Sequence, residues 1–162
     1  MEKTEQVPTK TQKGSVIVPE RLKALGETER FAVLATDAGG QPYTSLVSFA
    51  LTPAARNCVF ATPKDTQKYR NILQGNQVAL LIDNRHGGAE GLMETEAITL
   101  IGTARAVRRG KVWEGLAAVY LAKHPDLEGF LRSSSTALIA VDLSQGIHVG
   151  RFQTVSAWDC RG

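Results

Sequence analysis

Several features that would quickly narrow the class of this protein are scarce in its sequence. Only two of the 162 residues are cysteines, Cys58 and Cys160, so the sequence predicts neither a disulfide framework nor a metal site. No apolar run approaches the ~20 residues of a membrane span, and the polar first residues lack the apolar centre of a signal peptide. We therefore expect a cytoplasmic protein that does not insert into a membrane.

An excess of one charge is also missing. The 19 lysines and arginines face 16 acidic residues, and no basic run is dense enough to predict a nucleic-acid surface. The 43% hydrophobic content is that of a globular chain, and the length suits one domain. Because residues 1–18 are mostly polar, we expect a flexible N-terminal arm followed by a single domain over residues 19–162.

What the sequence does contain is a series of short apolar runs separated by turn residues. These runs predict strands at residues 31–36, 41–50, 58–62, 78–82, 97–107, 136–142 and 147–158, with a turn at 144–146. Helical spacing predicts helices at 19–26, 63–75 and 110–124 and a short helical turn at 127–131. Gly102 interrupts a strand, which indicates a β-bulge or a close approach of another backbone segment. Since few helices cross between strands, the pattern favours a small antiparallel barrel with peripheral helices.

Polar and basic residues cluster where the third strand meets the second helix. They are Thr62, Lys64, Asp65, Thr66, Gln67, Lys68 and Arg70. A helix N-terminus carries unsatisfied N–H groups and partial positive charge, so hydroxyls and cations beside it suit a phosphate dianion. The alternative is simple capping of the helix by Asp65 or Thr66, with the basic side chains solvated. The segment by itself leaves both interpretations open.

The order of the segments resembles the pyridoxamine 5'-phosphate oxidase-like family of FMN-binding split barrels. The likeness rests on residues 31–36, 40–49, 59–62, 66–72, 78–83, 100–107 and 151–155, and it covers nearly all of residues 28–158. The resemblance implies a mainly β fold, a six-stranded antiparallel Greek-key split barrel. It also implies a homodimer with FMN at the subunit interface, and an oxidoreductase that acts on a small-molecule substrate or reductant.

The same resemblance assigns the cofactor site to two segments. The backbone of the second strand would lie along the isoalloxazine ring, through Thr44, Ser45, Leu46, Val47, Ser48 and Phe49. The phosphate would be held by Ala61, Thr62, Lys64, Thr66, Gln67 and Lys68. True oxidases carry Arg-Lys where this chain has Gln67-Lys68, and an arginine where it has Thr44. Lys64 or Arg70 would then replace the missing charge, or FMN would bind more weakly.

Residues 150–158 do not resemble the substrate-binding ending of the true oxidases, so oxidation of vitamin B6 is not expected. No catalytic side chain is assigned, since flavin chemistry belongs to the cofactor. Two alternatives remain: a haem-binding relative on the same barrel, with His148 or His86 as axial ligand, and a flavin-binding protein without catalysis.

The ordinary interpretation of His148 is a hydrogen-bonded strand residue. His124 is expected at a helix end and Cys58 in the core, while Trp113 and Tyr120 are expected to pack along one helix face.

Overall fold

The computed structural model describes residues 12–14, 16–85, 91, 93–151 and 153–162. Its strands are β1 Gln12–Lys13, β2 Phe31–Ala38, β3 Gln41–Leu51, β4 Asn57–Pro63, β5 Gln77–Asp83, β6 Ala97–Ala106, β7 Thr136–Gly150 and β8 Thr154–Asp159. The helices are α1 Val18–Thr28, α2 Gln67–Gln74, α3 Lys111–Lys123 and α4 Glu128–Arg132, with a 3-10 turn at Pro125–Leu127 before α4. None of the described helices has the length and apolar character required to cross a membrane.

Six of the strands close into an antiparallel barrel. Going around it, β2 pairs with β3, β3 with β4, β4 with β7, β7 with β6, β6 with β5, and β5 returns to β2. β2, β3 and β4 follow one another, and the chain then returns through α2 to place β5 beside β2, which is a Greek-key connection. The predicted mainly β, six-stranded antiparallel barrel is confirmed.

The barrel has an apolar interior and a second apolar layer outside it. Alternate residues of each strand face inward, as in β2, where Ala32 and Leu34 are buried and their neighbours are not. Helix α1 joins this interior cluster through Val18, Leu22 and Leu25. Helix α3 instead covers the outer side of β4 and β7 with Trp113, Ala117 and Tyr120.

Packing bears out the expectations for three side chains. Trp113 and Tyr120 are both buried on the inner face of α3. Cys58 lies in the interior cluster, where burial raises the pKa of its thiol to about 12. The thiol is therefore a packing group rather than a nucleophile.

The predicted turn at residues 144–146 is wrong. β7 runs unbroken from Thr136 to Gly150, and Gly146 is a buried ladder residue paired with Leu100 on one side and Trp158 on the other. The Ser-Gln-Gly composition suggested a turn, but the missing Cβ of Gly146 serves close packing, since a Cβ there would lie 3.1 Å from the Trp158 ring.

The boundaries of two helices also differ from the sequence prediction. Pro63 is the last residue of β4, so α2 begins at Gln67, with Thr66 as its N-cap, rather than at residue 63. Helix α1 continues past Gly26 to Thr28 because Leu22 and Leu25 remain anchored in the core.

The bulge predicted at Gly102 is confirmed. The register between β6 and β7 shifts between Ile101 and Gly102. Part of the predicted arm is also held in place, since β1 pairs in parallel with the start of β8 and Gly14 donates its N–H to Val155 O. Residues 1–11 and 15 lie outside the described part of the chain.

Candidate functional site

The barrel wall is split between β3 and β4. Their ladder ends at the pair Phe49↔Phe60, although β3 extends back to Gln41 and β4 on to Pro63. Before Phe49, β3 pairs with β2, and among the described residues no strand pairs with the opposite edge of β3 over this stretch. The split therefore leaves the backbone N–H and C=O groups along one edge of β3 without a described strand partner.

The alternation of strand hydrogen bonds identifies the groups on this open edge. Phe49 donates its N–H to Arg30 O across the β2 ladder. In an antiparallel strand the backbone N–H and C=O groups of every second residue point to the same neighbouring strand. Those of Val47 and Ser45 therefore also point to β2. The N–H and C=O groups of Leu46 and Thr44 then point toward the split, where they can bond a flat polar ligand.

The other side of the split is formed by the end of β4 and the start of α2. Thr62 Oγ1 lies 3.0 Å from Thr66 Oγ1, and Thr66 Oγ1 both donates to Pro63 O and accepts from the N–H of Tyr69. Counting on from the Phe49↔Phe60 pair places Thr62 level with Val47 across the split. Two threonine hydroxyls and a helix N-terminus thus lie opposite the open edge of β3.

The basic residues of this segment differ in how firmly they are held. Arg70 donates to Asp65 O and to Gln67 Oε1, and Gln67 in turn donates to Asn71 Oδ1. Lys64 is exposed and Lys68 half-buried, and within the described ranges neither forms an ion pair with a carboxylate. The two lysines remain available to an anion, whereas Gln67 and Arg70 are occupied by each other and by α2.

Thr66 rather than Asp65 caps α2, so the capping interpretation holds for this threonine. Capping and anion binding are compatible here, because the cap satisfies one of the unpaired N–H groups of the first turn and leaves others.

The β3 residues predicted to contact the flavin ring lie on two faces of the strand, one toward the barrel interior and one toward the outside. Val47 and Phe49 are buried in the core, so only their backbones could contact a ligand. Thr44 and Leu46 are exposed and Ser48 is half-buried on the outer face.

Two polar groups near the split carry information about its fit to FMN. Ser45 Oγ is buried and has no hydrogen-bond partner, and an unsatisfied hydroxyl of this kind gains from a polar ligand. The second group is the Tyr120 hydroxyl, whose pKa burial raises to about 12. The open strand edge, the threonine hydroxyls, the two lysines and Ser45 together fit a planar ring joined to a phosphate.

An apolar surface continues outward from the open edge. The ladder places Leu46, Val33 and Leu81 in one row across β3, β2 and β5. Leu46 is 61% exposed, Phe31 51% and Leu81 36%. These side chains line a groove of about 330 Å³ whose charged neighbours are Glu29, Arg30, Asp83 and Arg85. The sequence pattern did not reveal this surface, because an outward apolar residue looks like a core residue in a strand of this composition.

The structure places both described histidines in buried positions. His148 is 4% exposed, and its Nε2 lies 2.8 Å from Glu96 Oε2, which confirms its interpretation as a hydrogen-bonded strand residue. His124 follows the end of α3, as expected, and its Nε2 lies 2.8 Å from Phe49 O. His86 lies outside the described residues. Neither His124 nor His148 offers a free, exposed Nε2 to a haem iron.

Glu96 is a partly buried anchor that sequence reasoning missed. Arg21 of α1 and His148 of β7 both bond its carboxylate. Burial acts to raise the pKa of Glu96, but the hydrogen bonds and charges of Arg21 and His148 outweigh it and hold the pKa below its usual value. Glu96 has no local sequence signal, because its partners lie 75 and 52 residues away.

Comparison with sequence families gives a match over residues 18–150 to the family described as pyridoxamine 5'-phosphate oxidase. Comparison with curated proteins gives no match.

Solved structures share the fold. A haem-binding protein from Mycobacterium smegmatis has a TM-score of 0.79 at 16% identity, covering 91% of this chain and 60% of its own. HutZ, the haem storage protein from Vibrio cholerae, has a TM-score of 0.70 at 19% identity, with 84% and 96% covered. General Stress Protein 26 from Bacillus anthracis has a TM-score of 0.65 at 14% identity, with 89% and 99% covered. This chain spans about three fifths of the Mycobacterium protein. At such identities the likeness establishes the fold alone.

Proposed function

Because the chain belongs to the pyridoxamine 5'-phosphate oxidase family, we propose that it binds FMN and acts as a flavin-dependent oxidoreductase on a small molecule. The observation that carries this proposal is the open edge of β3 facing the N-terminus of α2 across the split. A long polar edge and an anion-binding end lie side by side, which suits a ligand that has a flat head and a phosphate tail.

The phosphate end of the ligand would lie against α2. The hydroxyls of Thr62 and Thr66, the N–H groups of the first helical turn and the ammonium of Lys68 provide donors and positive charge. Lys64, which is exposed and without a described carboxylate partner, replaces part of the charge that arginines supply in the true oxidases. We expect weaker phosphate binding than an arginine pair would give, because lysine cannot bond two phosphate oxygens in the planar fork of a guanidinium.

The ring end would lie along β3. Backbone groups of Thr44 and Leu46 and the orphaned Ser45 hydroxyl would hold the ring edge and fix its orientation. When bound, FMN supplies the redox chemistry, and the chain supplies binding, orientation and exclusion of water. This division of labour needs no catalytic acid or base from the chain.

A second copy of this chain would complete the site. The row of exposed Leu46 and Leu81 with half-buried Val33 borders the open edge, and an apolar surface of this kind marks an interface. Asp83 beside the same groove already pairs with Arg85 of its own chain, so the apolar row, rather than an exchange of charges, supports the dimer. We propose a homodimer with the flavin at its interface.

Haem is the second candidate ligand, since two of the structurally similar proteins are described as binding or storing haem. The rings of His124 and His148 are buried and each has its Nε2 in a hydrogen bond, which favours FMN over haem at these two residues.

Titration with FMN, followed by flavin fluorescence and visible absorbance, tests the assignment. The wild-type chain should take up FMN, and Lys68→Ala should weaken binding by about 1.5–3 kcal/mol through loss of a charge-assisted phosphate bond. Lys23→Ala, which removes an exposed lysine of α1, is the matched control and should bind as the wild type does.

Equal FMN affinity of the Lys68→Ala and wild-type chains would show that Lys68 does not contact the flavin phosphate. Absence of flavin uptake, together with a Soret band on addition of haemin, would overturn the proposal in favour of haem.

A further inference from the structure

The groove on the outer face of β2, β3 and β5 has a charged wall that the proposed flavin site does not use. Its apolar walls are formed by Phe31, Val33, Leu46 and Leu81. The chain that joins α1 to β2 forms a further wall, with Glu29 and Arg30. A volume of about 330 Å³ is at the lower end of the range for small-molecule pockets, so the groove suits one substituted ring.

The backbone of Glu29 is held at both its donor and its acceptor. Glu29 is the C-cap of α1, and its N–H donates a hydrogen bond of 2.8 Å to Leu25 O. Its own carbonyl oxygen accepts a hydrogen bond of 2.6 Å from Lys123 Nζ. Although it is a glutamate, Glu29 is only 6% exposed. The fold therefore fixes an acidic side chain in the wall of the groove.

The carboxylate of Glu29 has unused hydrogen-bonding capacity. Within the described ranges no group donates a hydrogen bond to it, and it forms no ion pair. Neither of its oxygens is among the fully enclosed polar atoms that lack a partner, so both can be reached from the groove. Because a buried carboxylate without donors is costly, a ligand that brings N–H groups to Glu29 is stabilised there.

The charges around the groove favour a neutral ligand over a cation. Lys123 bonds the backbone oxygen of Glu29 and its charge attracts the carboxylate, and Arg30 adds a second positive group. Asp83 and Arg85 pair with each other at 3.2 Å. A further cation would add to the positive charge already present. Arg30 can also donate to an acceptor on the same ligand.

We propose that this groove binds a small planar molecule that consists of an aromatic ring with a primary carboxamide. The amide N–H groups donate to the Glu29 carboxylate, the amide oxygen accepts from Arg30, and the ring packs against Phe31 and Leu81. The proposal does not rest on flavin binding, since neither Glu29 nor Arg30 belongs to the proposed flavin site. In the proposed homodimer the second copy would close the groove over the ligand.

A fluorine NMR titration of the full chain without FMN tests the proposal with three matched probes. They are 4-fluorobenzamide, 4-fluoroacetophenone, which keeps the carbonyl acceptor but lacks the N–H donors, and 4-fluorobenzoate, which lacks the donors and is an anion. The amide should bind at least tenfold more tightly than the ketone, because only the amide donates hydrogen bonds to a carboxylate. It should also bind more tightly than the benzoate, which Glu29 repels.

Two variants locate the amide preference within the groove. Glu29→Gln should weaken amide binding several-fold and leave ketone binding unchanged, because the charge of the acceptor is lost and the apolar walls remain. Glu27→Gln is the matched control, since Glu27 is an exposed glutamate in the last turn of α1, and this variant should keep the wild-type preference.

Three results with the wild-type chain would overturn the proposal. Equal affinities for the amide and the ketone would show that Glu29 does not recognise the ligand. Tighter binding of the benzoate would show that Arg30 governs the groove. Failure of the amide to bind would show that the groove takes no such ligand, or that the second copy fills it. The wild-type ranking decides without either variant, and FMN uptake, measured separately, keeps a failure here distinct from a failure of the proposed function.

Discussion

Gly102 occupies the point where β6 and β7 change register, and strand β7 passes directly over it. A Cβ at Gly102 would lie 2.4 Å from Asp142 O and 2.8 Å from Val141 Cγ1. Gly102→Val therefore forces the two strands apart, and we expect it to lower the free energy of unfolding by about 1–3 kcal/mol. Thermal melting of the purified variant measures this loss.

Gly115 provides the control for this substitution. It lies inside α3, and a Cβ there would have no heavy atom within 4 Å. Gly115→Ala should raise the free energy of unfolding by about 0.5–1 kcal/mol, because alanine loses less backbone entropy in a helix. A Gly102→Val variant that melts at the wild-type temperature would contradict the assignment of the bulge to Gly102.

The sequence was informative about single residues whose surroundings are local. Gly102 stood out because it interrupts an apolar strand, and Cys58 because it lies within an apolar run. The sequence also predicted that His148 is hydrogen-bonded, but not that Glu96 is its partner. The hydrogen bond between His148 and Glu96 joins residues 52 positions apart and forms only when the barrel closes. The sequence around each of the two residues therefore does not predict it.

Helices and strands were predictable where residues typical of a turn mark their ends. The turn at Asp37–Gly40 separates β2 from β3 as expected, because consecutive glycines with positive φ suit a tight hairpin. The interior of β7 was not predictable in the same way. Its Ser-Gln-Gly segment at residues 144–146 resembles a turn, yet ladders with both β6 and β8 keep the strand extended through residue 150. Pairing on both sides overrides local turn propensity.

Helix α1 is attached to the barrel through Glu96, which gives this element a testable dependence on pH. The pKa of Glu96 in the folded chain lies below its ordinary value near 4.5. Stability from this carboxylate is therefore present above about pH 4.5 and is lost as the pH falls through that value toward the folded pKa. Glu96→Gln should lower the melting temperature at pH 7 by on the order of a few degrees. The variant should then lose less stability between pH 5 and pH 3 than the wild type does.

Glu114→Gln is the matched control, since Glu114 pairs with Arg132 on the exposed face of α3 and its side chain is 61% exposed. An exposed ion pair contributes little, so this variant should melt close to the wild type at pH 7. Parallel acid-denaturation curves for Glu96→Gln and wild type would show that the contacts of Arg21 and His148 with Glu96 do not stabilise the folded chain.

The barrel and the candidate site differ in what the sequence could predict at the level of the whole molecule. Alternating apolar residues and turns predicted a small antiparallel barrel, because each strand carries its own signal. The candidate site depends on where the β3–β4 ladder stops, and that is a property of two strands together. Only the resemblance to a family with known topology placed Thr44–Phe49 beside Thr62–Lys68, and the structure brings β3 and the end of β4 to the two sides of one split.

The proposed dimer can be tested through a residue that matters only in the assembly. Leu46 is 61% exposed in the single chain, so Leu46→Asp should leave its fold and melting transition nearly unchanged. In a dimer the new carboxylate would be buried in the apolar row with Val33 and Leu81, at a cost of several kcal/mol. We therefore expect a monomer by analytical ultracentrifugation, together with reduced FMN uptake, since each site would lose the partner that encloses it.

Val112→Asp serves as the comparison, because Val112 on α3 is 62% exposed and lies outside this row. That variant should remain dimeric and retain flavin. If Leu46→Asp also sediments as a dimer, the face formed by β2, β3 and β5 is not the interface. A monomer that still binds FMN with wild-type affinity would instead separate the flavin site from the dimer, and would leave the split between β3 and β4 as a site complete within one chain.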